Sequence, residues 1–157
     1  MTKFLLAVHV LAAIVAVGPV TVAASMFPAA GRRVREDGNP AADTPAAIAP
    51  ATGTLHLLHR ICRVYAVVGV VVPVFGFAVA KEMGVLGSAW LIVSIGLTVL
   101  AAVVLGALVL PGQAVFLEGG GTVRRAARLA MVTGVFNLLW AAVTVLMIVR
   151  PGSTTGA

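Results

Sequence analysis

The sequence predicts an all-α integral membrane protein, an antiparallel bundle of four transmembrane helices with both termini on the outer side. Three observations lead there. Of 157 residues, 61% are hydrophobic and only 10% charged, with a mean hydropathy of +1.10; a soluble domain carries about a quarter charged residues. The apolar residues gather in four continuous runs, each near the roughly 20 residues a helix needs to cross a bilayer core. None alternates with the period of two that a barrel strand would show. The basic residues, finally, are divided unequally between the connections.

The first predicted span covers 4–28 and carries a Gly18-Pro19 pair expected to kink it. Lys3, the apolar run and Val22-Ala23-Ala24-Ser25 imitate a secretory signal. Cleavage would leave Arg32, Arg33 and Arg35 outside, against the positive-inside rule, so the span is read as retained. Residues 29–55 form a Pro/Ala-rich cytoplasmic loop in which Pro40, Pro45 and Pro50 recur five apart, the composition of a flexible linker. The second span, 61–80, contains Pro73 and should bend there. The third covers 89–110. After it, Ala114-Val115-Phe116-Leu117 is apolar enough to lie in the interface, Gly119 to Gly121 break the chain, and Thr122 is placed to cap the last span, 127–149.

Eight of the eleven basic residues, Arg32, Arg33, Arg35, Arg60, Arg63, Arg124, Arg125 and Arg128, flank the first and third connections. Short cytoplasmic loops retain such residues, which puts these connections inside the cell and Lys3, Lys81 and Arg150 outside. The net charge of +6 and pI near 11.2 therefore belong to membrane topology. Arg60, Arg63, Arg124, Arg125 and Arg128 are expected to meet anionic lipid headgroups or an acidic partner. No basic stripe is interleaved with aromatics, so nucleic acid is not an expected partner. The lone Cys62 leaves no internal disulfide.

Polar residues inside the spans are few, and counting depth at 1.5 Å per residue arranges them in layers. His9, Ser94 and Thr144 fall in one, Thr98 and Asn137 near the midplane, and Thr21 and Thr133 toward the cytoplasm. Such layers are expected to face inward and join the helices by hydrogen bonds. Ala12 and Ala16, Ala102 and Gly106, and Ala130 and Gly134 repeat at four-residue spacing and should mark close helix contacts.

All five acidic residues, Glu36, Asp37, Asp43, Glu82 and Glu118, lie outside the spans. A proton-coupled carrier usually needs a carboxylate within the membrane, and hydrolysis needs a base beside its nucleophile; neither is available. His9 is the one ionisable group well inside a span. Its acceptor nitrogen could ligate haem iron or copper while the other ring nitrogen bonds Ser94 or Thr144; the alternative is a structural histidine. A second cluster, His56, His59 and Cys62, has i, i+3 spacing for a metal. Cys62 lies about 60° around the helix from His59, however, and His56, His59, Arg60 and Arg63 share an arc of roughly 100° that reads better as a basic ramp at the interface. His9 and the His56/His59 pair stand at opposite ends of the membrane, too far apart to clamp one haem.

The opening Lys3-Phe-Leu-Leu-Ala-Val-His-Val-Leu-Ala-Ala-Ile-Val-Ala-Val-Gly18, followed by four spans, resembles the bacterial integral membrane proteins of domain-of-unknown-function family 2269. Its first-helix histidine is similar to that of the four-helix type containing copper-resistance D and HemJ-type proteins. That resemblance implies haem or copper, with His9 alone carried over as a candidate ligand.

With almost no mass outside the membrane, the chain is expected to be a non-catalytic accessory or packing subunit of a larger assembly in the bacterial inner membrane, touching lipid, other subunits or copies of itself. The alternatives are a haem-b or copper redox protein using His9, and a small solute carrier with a polar midplane cavity around Thr98 and Asn137.

Overall fold

The computed structural model describes residues 2–36 and 45–152. Among them the regular structure is entirely helical: α1 (Thr2–Glu36), α2 (Pro45–Gly69), α3 (Val71–Glu82), α4 (Ala89–Val103), α5 (Leu110–Val115) and α6 (Val123–Val149). Two π-helical turns, Val104–Val109 and Phe116–Gly120, flank α5 and make Ala89–Gly120 one continuous rod. Four stretches, Lys3–Val34, Thr52–Glu82, Ala89–Gly120 and Val123–Val149, are long and apolar enough to cross a membrane. Each contains one of the predicted spans.

The helices nevertheless outrun the predicted limits. α1 continues unbroken through Pro19 and Pro28 to Glu36, and α2 starts at Pro45, so much of the segment read as a loop is helical. The centre of that loop, 37–44, lies outside the described residues. The third rod extends ten residues past the predicted end at Leu110. Pro111 lacks the donor for an ordinary helical bond, and the chain passes it by widening: Leu110 N–H reaches back five residues to Leu105 O. At Pro73 the chain does break, between α2 and α3. The Pro ring nitrogen leaves Gly69 O without its helical donor, and Val70 N–H turns instead to Val67 O at 3.1 Å.

Both short connections have clear local causes. α3 ends in a Schellman cap, with Gly84 N–H to Lys81 O and Val85 N–H to Ala80 O, both 3.1 Å, and Gly84 at φ 67°. α6 begins as predicted at Thr122, whose hydroxyl accepts from Arg125 N–H at 3.1 Å.

α1 packs against α2, α3 and α6, while α4 and the first π turn pack against α6. The main core gathers Val20, Ala24 and Phe27 of α1, Leu58 and Cys62 of α2, Ala101 to Val109 of the third rod, and Phe136 of α6. Phe116, expected in the interface, is buried here: its ring meets Phe27 edge-on at 5.9 Å and lies against Gly31 and Gly121. Trp90 anchors a smaller cluster with Ala80 and Leu91, under the Arg150 guanidinium at 5.9 Å. Outward, the helices show Leu11, Ile14, Val67, Val74, Leu138 and Ile148 to their surroundings.

Candidate functional site

Two polar constellations lie within the apolar helices. The first joins α2 to α5 through Gln113, which is completely buried. His59 Nδ1–H donates to Gln113 Oε1 at 3.0 Å, and Gln113 Nε2 donates to Cys62 Sγ at 3.6 Å. His59 and Cys62 sit three residues apart on α2, so their side chains project to neighbouring positions on one face. Gln113 faces them because the π turn before Pro111 rotates α5 toward α2. A buried amide is costly unless both ends are bonded, and here both are. The arrangement braces two helices; it contains no carboxylate and no charged group.

The second constellation holds His9, 8% exposed, on the first turns of α1. Its Nδ1–H donates to Val72 O at 3.1 Å on α3. Gly76, one turn on, leaves the ring its space: a Cβ there would come 2.8 Å from His9 Cε1. This bond fixes the tautomer, with Nε2 unprotonated and able to accept or ligate.

The remaining predicted residues are placed differently from the expected layers. Ser94 Oγ–H donates to Trp90 O at 2.8 Å, Thr98 Oγ1–H to Ser94 O at 2.8 Å, and Thr144 Oγ1–H to Trp140 O at 2.9 Å. Thr21 Oγ1–H donates to Gly18 O at 2.8 Å. Each hydroxyl is thus bonded within its own helix, the nearest acceptor for a serine or threonine in a helix. His9 bonds a backbone carbonyl instead of Ser94 or Thr144. Asn137 Nδ2 donates to Ser25 Oγ at 3.0 Å, while Asn137 Oδ1 and Thr133 Oγ1 are buried without a partner. Of the small-residue pairs, Ala16 is buried, whereas Ala102, Gly106 and Ala130 are exposed.

His56 is exposed, apart from His59 and Cys62, and among the described residues no three His, Cys, Asp or Glu side chains stand close enough to hold a metal ion. The proposed trio is therefore not assembled; Gln113 takes the place a metal would have between His59 and Cys62. Arg60, Arg63, Arg124, Arg125 and Arg128 are exposed, and none forms an ion pair among the described residues. Two half-open grooves accompany them. One lies between the third rod and α6, the other between the end of α1, the start of α2 and the second π turn. Neither reaches His9 or the Thr98 and Asn137 level.

No known family, no curated protein and no solved structure matches the chain. The residues carry the argument alone.

Gln113 is the residue that sequence reasoning missed. It follows Pro111-Gly112, which reads as the end of a span, and so was counted as loop. The available signal was the apolar stretch resuming directly after it, at Ala114 to Leu117.

Proposed function

We propose that the chain is a multi-pass protein of the bacterial inner membrane, acting as a non-catalytic accessory or packing subunit through the outer faces of its helices. One observation carries this reading. The hydroxyls and amides within the spans are largely bonded inside the chain, while Ala102 and Gly106 lie exposed one turn apart on the third rod. Small residues at that spacing allow another helix to approach closely. The contacts of His9 with Val72, and of Gly31 with Phe116, support an antiparallel arrangement. The arginine distribution supports both termini outside.

The test is the mass of the assembly, purified in mild detergent and measured by native mass spectrometry. A complex with a second polypeptide or another copy is expected, and Gly106→Ile should break it, while Ala141→Ile, equally exposed on α6, should not. A wild-type chain that is monomeric in both membranes and detergent overturns the reading.

A second reading, haem or copper ligation by His9, is favoured by one feature. A ligating imidazole usually donates its other N–H to a carbonyl or carboxylate, as His9 does to Val72 O. His9 would supply one axial nitrogen, and bound haem would supply one-electron chemistry. The remaining ligand does not come from a cluster among the described residues. An absorption spectrum, oxidised and dithionite-reduced, decides it. A Soret band lost in His9→Ala supports ligation; a colourless wild type from haem-supplied cells overturns it.

A further inference from the structure

The groove between the third rod and α6 has a polarity gradient that neither reading uses. Its walls are Ala107, Leu108 and Pro111 on one side and Leu129 and Val132 on the other, and it encloses about 310 Å³. That volume is at the lower end of ligand sites. Arg125 and Arg128 stand at one end. From Arg125 to Val132 the groove follows α6 for about 10 Å, at 1.5 Å per residue.

The mouth is prearranged. Arg125 Nη1 donates to Gly120 O, which holds the guanidinium against the second π turn. A guanidinium has five N–H groups, so the others remain for an anion. Neither Arg125 nor Arg128 meets a carboxylate among the described residues. The floor is open because Gly112 has no side chain: a Cβ there would lie 3.1 Å from Leu129 Cδ1. The site is thus cationic at the end toward the loop and apolar farther in.

We propose that this groove binds one anionic phospholipid, its phosphate on Arg125 and Arg128 and an acyl chain along Ala107, Leu108 and Val132. The ligand must be charged at one end and apolar over the next ~10 Å, in the direction that a phospholipid takes in the cytoplasmic leaflet. Paired guanidinium groups match phosphate oxygens in geometry as well as charge. The proposal rests on the membrane placement above but not on a protein partner.

The test places the full chain in nanodiscs of equal phosphatidylglycerol and phosphatidylcholine and counts retained lipid by native mass spectrometry after detergent release. Phosphatidylglycerol should be retained in preference. Arg125→Gln and Arg128→Gln should each weaken it about five-fold, whereas Arg124→Gln, exposed but outside the groove, should leave it unchanged. Ala107→Phe, which fills the groove and keeps the charges, should abolish retention. These sites are exposed, so the variants should fold, and unchanged helicity confirms it. Equal losses from all three arginine variants would mean diffuse surface charge and overturn the site. Retention in Ala107→Phe, or displacement by millimolar inorganic phosphate, would mean a headgroup or free-anion contact without the chain and overturn it too. Carbonate extraction of the chain from membranes would instead reject the membrane placement.

Discussion

Replacing Gln113 by leucine tests whether the polar bridge holds α2 to the third rod. Leucine approximates the glutamine volume, so the change removes bonds more than packing. The His59 bond at 3.0 Å joins neutral groups and is worth about 0.5–1.5 kcal/mol, near the mean of about 0.6 kcal/mol found inside membranes. The sulfur contact at 3.6 Å adds less. His59 Nδ1–H then lacks an acceptor, but His59 is only half-buried, so its penalty lies at the lower end of roughly 1–3 kcal/mol. Gln113→Leu should therefore cost about 1–2 kcal/mol. His59→Phe should cost at least as much, because it strands Gln113 Oε1 in a fully buried place. The double variant should lose less than the sum, with a coupling of about 1 kcal/mol. Reversible unfolding in mixed micelles, followed by helicity, measures all three. Additivity within about 0.3 kcal/mol would refute the bridge.

Three further predictions concern packing. Gly31→Ala places a methyl 2.7 Å from Phe116 Cζ and should destabilise by about 1–3 kcal/mol in the same unfolding assay, while Gly96→Ala, with nothing within 4 Å, should stabilise by about 0.5–1 kcal/mol. Gly76→Ala should push the His9 ring off Val72 O; nitrogen NMR should then show His9 no longer held in the Nδ1–H tautomer. Thr133→Val removes a buried hydroxyl that has no partner, so stability should be unchanged or raised by up to about 1 kcal/mol. A loss above about 1 kcal/mol would show that the hydroxyl is bonded after all.

The four membrane-length helices were legible because hydropathy accumulates over some twenty residues and tolerates local error. Their ends were not. Pro111-Gly112 and the glycines at 119–121 read alike as stops, yet only the second group ends the rod, where Gly119 takes φ 86°. Proline stops a helix only if the chain cannot adapt, and a π turn adapts. The Thr122 cap was legible, being a matter of adjacent residues. The polar layers were not, because depth says which residues share a plane but not whether a hydroxyl prefers its own helix, as Ser94 and Thr98 do. His9 was recognisable as inward-facing from its cost in lipid; its partner, a backbone carbonyl beside Gly76, has no signature in side-chain chemistry.

The π turn at Val104–Val109 also amounts to one residue of surplus in the rod. Deleting an exposed residue within it, such as Gly106, would let the chain relax to an ordinary helix and turn everything downstream by about 100°. Gln113 would swing away from His59, and Phe116 from Phe27, while composition and hydropathy stayed nearly the same. For this chain, counting residues across that turn matters as much as identifying them: a homologue shorter by one residue there could keep every side chain and present a different interior.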